Sequence, residues 1–179
     1  MVQIAVMGYG VVGSGVVEVF YKNRESIQRR AGCEMEIKRI LDLREFPGSP
    51  YAEKFTKNFE DILQDNDIRV VVEVMGGVHP AFEFVQQCLQ RGKSVATSNK
   101  ELVATKGAAL LKTAAENNVN FLFEASVGGG IPILRPLSQC LAANEIMEID
   151  GILNGTTNYI LTKMIKEQVS FADALQQAQ

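Results

Sequence analysis

Apolar and polar positions in the first two thirds of the chain follow two alternating patterns. Short apolar runs predict five strands, at residues 2–6, 34–41, 69–74, 94–97 and 119–123. Segments with apolar residues at helical spacing predict the helices between them, at residues 11–30, 59–64, 80–91 and 98–117. Strands and helices that alternate at such short intervals are typical of a doubly wound parallel α/β sheet with right-handed crossovers.

Two details of this pattern predict how the elements pack. Residues 70–72 are three consecutive valines, as expected for a parallel strand that is covered on both faces. The first helix carries an apolar stripe at helical spacing, formed by Val12, Val16, Val19 and Phe20. We therefore expect a central sheet with helices on both sides.

The turn between the first strand and the first helix is rich in glycine. Gly8, Gly10 and Gly13 fit the pattern G-x-G-x-x-G. Gly8 allows a tight turn, Gly10 removes a side chain where a pyrophosphate would approach, and Gly13 lets the helix pack close to the strand. The helix N-terminus offers free N–H groups to the phosphates. The sequence therefore predicts a dinucleotide-binding site.

The pattern changes after Phe123. The elements predicted beyond it are a helix ending near Leu141, a strand at 145–153, a helix at 159–167, and a last helix that Ser170 and Asp173 cap and that continues to Gln179. We predict a Rossmann dinucleotide-binding domain at residues 1–135 and, at residues 136–179, a hinge with the N-terminal part of a second α+β domain. The alternative is that the last residues complete the first domain as a sixth strand with its helices.

Composition and charge argue against several classes of protein. The formal net charge is −3 and no basic cluster is present, which argues against a nucleic-acid surface. The three cysteines, Cys33, Cys88 and Cys140, are odd in number and lack C-x-x-C spacing, so we expect free thiols in a reducing compartment. The chain opens on a strand rather than a signal peptide and has no apolar run of membrane-spanning length, so we expect a cytoplasmic protein.

Histidine and cysteine chemistry is largely excluded. His79 is the only histidine, so neither a histidine metal cluster nor a Ser-His-Asp triad can form. Cys88 and Cys140 fall inside predicted helices and are expected in the core, and Cys33 precedes an early strand. We therefore expect no covalent aldehyde chemistry at a cysteine.

Asp42 stands at the end of the second predicted strand. In dinucleotide-binding folds an acidic residue at this place accepts hydrogen bonds from the adenosine ribose. The alternative is an aspartate that merely starts a turn. Arg44, two residues further on, is placed to neutralise a 2′-phosphate, so the two side chains point to NAD and to NADP respectively.

Lys100 is the most informative side chain. Ser98 and Glu101 form an S-x-x-E capping box that places Lys100 in the first turn of the helix after the fourth strand. This turn lies at the carboxyl ends of the strands, where ligands of doubly wound sheets bind. The positive end of the helix there favours release of the ammonium proton. Lys100 is therefore a candidate acid–base group, with a fully solvated lysine as the alternative.

A second oxidoreductase pattern lies near the C-terminus. Tyr159 and Lys163 form a Y-x-x-x-K pair on one helix face, as in short-chain dehydrogenases. That family's glycine motif, G-x-x-x-G-x-G, is absent, and no serine lies in the dozen residues before Tyr159. A site formed by Tyr159 and Lys163 stays as an alternative.

Five segments together resemble homoserine dehydrogenase. They are GYGVVGSG at 8–15, VVEVMGG at 71–77, KSVATSNKE at 93–101, EASVGGGIP at 124–132 and GILNGTTNYI at 151–160. The resemblance extends over the whole chain, and the last two segments are far more specific than the glycine motif. It implies a reversible hydride transfer between L-homoserine and L-aspartate 4-semialdehyde with NAD or NADP, a step towards threonine, methionine and isoleucine.

The resemblance also implies roles for residues. Lys100 matches a lysine that binds the cofactor and takes part in proton transfer, and Gly76 and Gly77 match a loop close to the nicotinamide ribose. The predicted cofactor-binding set is Gly8, Tyr9, Gly10, Val11, Val12, Gly13, Asp42, Arg44, Gly76, Gly77, Ser98 and Lys100. A sodium ion is implied on main-chain carbonyls of Glu124, Val127, Gly129 and Ile131.

Among the departures of the sequence from the family pattern, two bear on cofactor preference and activity. Leu41 stands where many members carry an arginine for the 2′-phosphate, which favours NAD. The family's G-Y-A-E-x-D-P segment, and the acidic residues and second lysine beyond it, do not occur before Gln179. We therefore expect an N-terminal fragment of a homodimeric enzyme that binds dinucleotide without turning over homoserine. The alternative is a non-catalytic dinucleotide-binding redox sensor.

Overall fold

Six parallel strands form one sheet in the N-terminal part of the structure. The computed structural model describes residues 1–152 and 154–178, and the chain folds as two compact units, Met1–Gly129 and Gly130–Gln179. The domain division expected after residue 135 stays a prediction, because the compact units of a chain need not be the domains of the whole protein.

The strands confirm the predicted architecture. They are β1 (Val2–Met7), β2 (Met35–Leu41), β3 (Phe55–Thr56), β4 (Ile68–Glu73), β5 (Ser94–Thr97) and β6 (Phe121–Leu122). Their order in the sheet is β3-β2-β1-β4-β5-β6, and every neighbouring pair is parallel. The direction in which the strands succeed one another therefore reverses between β1 and β4. Strand β3 was not predicted, since two residues are too few to show periodicity.

The α-helices of this unit are α1 (Val11–Lys22), α2 (Arg24–Ala31), α3 (Glu60–Leu63), α4 (Ala81–Gln90) and α5 (Lys100–Glu116). The single helix predicted at residues 11–30 is wrong, because it is broken at Asn23. The Asn23 side-chain amide donates to the Val19 carbonyl oxygen at 3.2 Å, and its backbone leaves the helical conformation with φ −112° and ψ 20°. Asparagine competes with a helix through such local hydrogen bonds.

The apolar stripe predicted on α1 is only partly right. Phe20 is buried, but Val12 and Val19 are 51% and 55% exposed. The helix instead turns the row of Gly13, Val17 and Phe20 towards the sheet. The close approach of Gly13 to the end of β1 sets this rotation, because the glycine must face the strand.

Apolar side chains cover both faces of the sheet. One cluster combines strand residues such as Met7 and Val71 with α4 and α5. The other combines β1 and β2 with α1, and Val70 and Val72 pack against it. Neighbouring residues of a strand point to opposite faces, so the prediction that the valine run is covered on both faces is confirmed.

The second unit contains a five-residue π-helix (Pro136–Cys140), α6 (Gly155–Glu167) and α7 (Phe171–Ala178). The strand predicted at 145–153 is wrong for residues 145–152, which form no strand, and Leu153 lies outside the described residues. A strand needs a hydrogen-bonded neighbour. The apolar side chains that suggested one, Ile146 and Ile149, are exposed.

Two caps define the helices of the second unit. The Ser170 hydroxyl accepts the N–H of Asp173 at 3.2 Å and donates to its carboxylate at 2.6 Å, which confirms the predicted cap. Helix α6 begins before Tyr159 because the Asn154 side chain accepts the N–H of Thr157 at 2.9 Å. The expected continuation of α7 to Gln179 lies outside the described residues.

The three thiols are free. Cys88 is fully buried, as predicted, but Cys140 is exposed, so its expected place in the core is wrong. Cys140 ends the short π-helix, which is too short to bury a face of its own. No helix within residues 1–152 and 154–178 is long and apolar enough to cross a membrane.

Candidate functional site

The glycine turn joins β1 to α1 at the carboxyl edge of the sheet. Gly8 has a φ of +99°, which other residues rarely adopt. A Cβ atom at Gly13 would lie 2.0 Å from the Gly8 carbonyl oxygen, so only glycine lets the helix start this close to the strand. A Cβ atom at Gly10 would meet nothing within 4 Å. The structural roles of Gly8 and Gly13 are confirmed, and the binding role of Gly10 stays a prediction.

The N-terminus of α1 opens beside this turn. Gly10 is its N-cap, no side chain caps it, and no acidic residue occupies its first turn. Its first N–H groups therefore lack partners within the helix and lie at the positive end of the helix dipole. Val11 and Val12, the first two residues of the helix, are 92% and 51% exposed. This arrangement fits a pyrophosphate group.

Asp42 follows β2 and is bonded to the glycine turn. Its Oδ2 accepts the N–H of Tyr9 at 2.8 Å and a guanidinium N–H of Arg44 at 2.9 Å. Its Oδ1 accepts the backbone N–H and the Nε–H of Arg44, at 2.9 and 3.0 Å. Hydrogen bonds from Arg44 hold the pKa of Asp42 well below its usual range, although burial acts in the opposite direction.

These four hydrogen bonds fill the acceptor capacity of the Asp42 carboxylate. A ribose hydroxyl can therefore bond to Asp42 only where the Arg44 side chain gives up at least one of its contacts. The Arg44 side chain is 62% exposed and that of Asp42 is 9% exposed, so the arginine is the partner that can move. A ribose hydroxyl would therefore compete with the Arg44 side chain for the oxygen atoms of Asp42.

A cavity of about 240 Å³ lies beside Asp42. Its lining includes Arg44, the ion pair of Lys57 with Glu45 at 2.8 Å, and the ring of Phe46, whose centre lies 5.3 Å from the Arg44 guanidinium. Tyr9 packs edge-on against Phe46, with ring centres 4.9 Å apart. Lys57 and Phe46 were not predicted as site residues, because residues of an irregular segment show no periodic pattern.

One side chain joins the loop after β4 to the start of α5. Gly76 and Gly77 both have positive φ angles, 81° and 71°, which end the strand sharply. The Asn99 amide donates to the Gly77 carbonyl oxygen at 2.6 Å. The Asn99 side-chain oxygen accepts the N–H of Leu102 at 3.1 Å, so Asn99 is the N-cap of α5.

The capping box predicted for Ser98 and Glu101 is therefore wrong. The Ser98 N–H donates to the Glu73 carbonyl oxygen at 3.4 Å, so Ser98 still bonds to the end of β4 and the cap moves one residue on, to Asn99. Lys100 becomes the first residue of α5, which confirms its predicted place in the first turn. It is exposed, and its side chain makes no hydrogen bond or ion pair with another described residue. Its catalytic role stays a prediction.

Two buried polar residues at the carboxyl edge of the sheet were not predicted from the sequence. Glu73 is 0% exposed and Thr97 is 4% exposed, and the Thr97 hydroxyl donates to the Glu73 carboxylate at 2.5 Å. Each residue ends a strand that was predicted from its apolar side chains. The signal available in the sequence was the glutamate at the end of an apolar run, since carboxylates are rarely fully buried without a partner.

The residues predicted to hold sodium belong to both units of the chain. Glu124 begins a 3-10 turn, and its carbonyl oxygen accepts the N–H of Val127 at 3.1 Å. Gly129 ends the first unit with a φ of +60°, and Ile131 lies in the second unit. The described residues contain no group of three His, Cys, Asp or Glu side chains that could hold a metal ion. The carbonyl set stays a prediction.

Tyr159 and Lys163 lie on one face of α6. The Lys163 ammonium is 5.7 Å from the centre of the Tyr159 ring and 2.8 Å from the Glu167 carboxylate. The hydrogen bond that Lys163 donates to the Glu167 carboxylate raises the pKa of Lys163. Lys163 and Glu167 lie one helical turn apart and form an ion pair of the kind that is common on helix surfaces. The pair engages the ammonium group that a short-chain dehydrogenase site would need.

Comparison with known proteins gives one consistent result. The family model described as the NAD-binding domain of homoserine dehydrogenase matches residues 8–124, and the model described as homoserine dehydrogenase matches residues 132–179. The chain is 41% identical to the homoserine dehydrogenase of Bacillus subtilis and 40% identical to that of Helicobacter pylori. Each alignment covers 99% of this chain but only 42% of the relative.

Solved structures agree with the sequence comparisons. A homoserine dehydrogenase from Thiobacillus denitrificans has a TM-score of 0.90 at 39% identity, over 99% of this chain and 42% of that one. A hyperthermophilic archaeal homoserine dehydrogenase mutant in complex with NADPH has a TM-score of 0.82 at 28% identity, over 99% of this chain and 60% of that one. The chain therefore spans about 42% of the length of the curated relatives it matches.

Proposed function

The chain belongs to the homoserine dehydrogenase family, and we propose that the complete protein catalyses the reversible, NAD(P)-dependent oxidation of L-homoserine to L-aspartate 4-semialdehyde. The observation that carries this proposal is the succession of the two family models along the chain, with the NAD-binding domain first. Because the chain spans only about 42% of its relatives, the activity is proposed for the complete protein and cofactor binding for this chain.

The first unit is proposed to bind the cofactor in an orientation that follows from the sheet. The glycine turn and the N-terminus of α1 receive the pyrophosphate, and Asp42 lies on the adenosine side, at the end of β2. Because the strand order reverses between β1 and β4, the nicotinamide half extends over β4 and β5. The Gly76–Gly77 loop, Ser98 and Lys100 lie at the ends of those strands.

Lys100 is proposed to move the hydroxyl proton of the substrate. A bound nicotinamide accepts the hydride in one direction and returns it in the other. Oxidation of an alcohol also requires a base for the hydroxyl proton, and Lys100 lies exposed at the positive end of α5.

Asp42 and Arg44 are proposed to set the cofactor preference. Asp42 suits the free ribose hydroxyls of NAD, and the exposed Arg44 suits the 2′-phosphate of NADP. Since Asp42 is an ionised carboxylate that would repel a phosphate, we propose that NAD binds at least as tightly as NADP.

We also propose a sodium site, an oligomeric state, a biosynthetic role and a cellular compartment for the complete protein. A sodium ion on the carbonyls of Glu124, Val127, Gly129 and Ile131 is chemically reasonable, since hard cations prefer oxygen ligands. The family resemblance supports a homodimer and a place in threonine, methionine and isoleucine synthesis. Three free thiols support a reducing compartment, the cytoplasm.

Two measurements test the proposed function. Calorimetric titration of the 179-residue chain with NAD and NADP is expected to show binding of both, without reduction of either when L-homoserine is added. The complete protein is expected to reduce NAD or NADP when L-homoserine is supplied. A folded chain that binds neither dinucleotide would contradict the cofactor site. A complete protein that binds dinucleotide but never reduces it with L-homoserine would support the redox-sensor alternative instead.

A further inference from the structure

A fully buried carboxylate lies at the end of β4, outside the residues to which a binding or catalytic role was assigned. Glu73 is 0% exposed and accepts the N–H of Met75 at 2.8 Å and the hydroxyl of Thr97 at 2.5 Å. No cationic side chain of the described residues pairs with it. Burying a carboxylate without a cation is unfavourable for folding, so the sheet alone gives no reason for a glutamate here.

The hydrogen bonds of Glu73 continue into the neighbouring elements. The Thr97 hydroxyl that donates to Glu73 also accepts the backbone N–H of Asn99 at 2.9 Å. Asn99 in turn holds the Gly77 carbonyl oxygen at 2.6 Å and caps α5 through Leu102 at 3.1 Å. One connected network therefore runs from β4 through β5 to the first turn of α5, and returns to the loop after β4.

This network lies next to the glycine turn, on the side of β1 that faces β4 and β5. A Cβ atom at Gly8 would lie 3.0 Å from the carbonyl oxygen of Val74 and 3.1 Å from the Cα of Met75, so the turn packs directly on the segment that Glu73 holds. Asp42 lies at the end of β2, on the opposite side of β1. The network thus lies on the β4 and β5 side, over which the nicotinamide half of a dinucleotide would extend.

We propose that Glu73 is a positioning residue that holds the Gly76–Gly77 loop and the first turn of α5 for the nicotinamide half of the cofactor. Thr97 and Asn99 transmit its effect, and Lys100, the residue after Asn99, takes its place from the same network. The proposal rests on the proposed function, since it assigns a role within the dinucleotide site. The dinucleotide site then has two halves. The glycine turn and Asp42 bind the adenosine and the pyrophosphate, and the Glu73 network positions the residues that meet the nicotinamide half.

The test uses the complete protein and compares NAD with ADP, which lacks the nicotinamide and its ribose. Thr97→Val removes the hydroxyl at nearly constant volume, and Thr97→Ser keeps it. Thr97→Val is expected to raise the Kd of NAD about 3- to 10-fold, the effect of one lost buried hydrogen bond, and to change the Kd of ADP less than about twofold. Its kcat is expected to fall by about tenfold or more, because misplaced groups slow the reaction. Thr97→Ser is expected to behave like the wild type.

A second variant examines the far end of the network. Asn99→Ser can still cap α5 through its hydroxyl but cannot reach the Gly77 carbonyl oxygen. It is expected to weaken the binding of NAD and to leave the binding of ADP unchanged, as Thr97→Val does. Glu73→Gln turns one acceptor into a donor and is expected to show the same selectivity in any fraction that folds. Thermal unfolding of each variant is measured alongside.

The outcomes are distinct. Equal weakening of NAD and ADP binding by Thr97→Val and Asn99→Ser would show that the network supports only the fold, and would overturn the proposal. Unchanged affinity for both ligands with unchanged kcat would overturn it as well. A wild-type protein that binds neither ligand, or that fails to oxidise L-homoserine, would instead contradict the proposed function, so the two failures can be told apart.

Discussion

The phenol of Tyr21 donates a hydrogen bond of 2.7 Å to the carboxylate of Glu36, on the adjoining strand β2. The Lys54 ammonium and the Arg24 guanidinium pair with the same carboxylate, each at 2.8 Å. Burial by itself would raise the pKa of Glu36, but the hydrogen bonds from Lys54 and Tyr21 outweigh it and lower the pKa. This carboxylate therefore joins α1, α2 and β2 most strongly when it is ionised.

We predict that the chain loses stability as the pH falls below the ordinary glutamate pKa of 4.5. A group whose pKa is lowered by folding contributes stability above its unfolded pKa, and loses it as the pH falls through the folded value. Urea unfolding at a series of pH values measures the effect. Glu36→Gln should flatten the dependence, and Glu34→Gln, at an exposed position, should not. An identical pH dependence in wild type and Glu36→Gln would contradict the prediction.

Gly13→Ala should damage both the fold and the cofactor site. The new methyl group would lie 2.0 Å from the Gly8 carbonyl oxygen, so the turn or the helix must shift. Overpacking of this kind typically costs about 1–3 kcal/mol of unfolding free energy. Urea unfolding and NAD titration of the 179-residue chain should both register the change.

Two neighbouring glycines provide controls for this effect. Gly15→Ala, in the same helix, meets nothing within 4 Å and should leave both stability and binding intact. Gly10→Ala also has open space around it and should fold, but its methyl group would stand where the pyrophosphate approaches and should weaken NAD binding. Normal NAD affinity in Gly10→Ala would place the pyrophosphate elsewhere.

Arg44→Ala should increase the preference for NAD over NADP. The arginine is exposed, so its loss should not affect folding, and it frees acceptor positions on Asp42 for the ribose hydroxyls. Loss of a charge-assisted contact to a 2′-phosphate should raise the Kd of NADP by about tenfold, with that of NAD unchanged or lower. Calorimetry with both dinucleotides measures the ratio, and Arg30→Ala, on exposed α2, serves as the control. Parallel changes for both cofactors would rule out a role in discrimination.

Lys100→Ala should lower kcat of the complete protein by about 10²- to 10⁴-fold, the range for a lost acid–base group. Lys100→Arg should not restore activity, because a guanidinium does not release its proton near neutral pH. Lys112→Ala, on the same helix and 76% exposed, is the matched control. If Lys100→Ala raises only the cofactor KM and leaves kcat intact, the lysine binds cofactor and another group moves the proton.

Cys88 should resist thiol reagents in the folded chain. Burial raises the pKa of its thiol to about 12, so almost no thiolate forms near pH 8, and the side chain is also inaccessible. A disulfide reagent should label Cys33 and Cys140 quickly in the 179-residue chain, and Cys88 only as the chain unfolds. Cys88→Ala should lack the slow phase. Three equally fast thiols would show that the interface between α4 and the sheet opens readily.

Local signals in the sequence were sufficient for the architecture of the first unit. Short apolar runs separated by helical spacing determined the alternation of strands and helices, since periodicity reports which face of an element is buried. The glycine pattern determined the turn after β1, because positive φ at Gly8 and close approach at Gly13 are demands that only glycine meets. The same local reasoning failed at Asn23 and at residues 145–152, where a side-chain hydrogen bond and the lack of a paired strand outweighed the apolar pattern.

Only the tertiary structure decided which polar groups meet. Asp42 bonds to Tyr9 over a separation of 33 residues, and Thr97 bonds to Glu73 over 24 residues. Neither pair has a signature in the sequence, because each depends on the sheet order that brings β1 beside β2 and β4 beside β5. A periodic pattern carries information about one element at a time, whereas a hydrogen bond between two strand ends exists only once both strands have taken their places in the sheet.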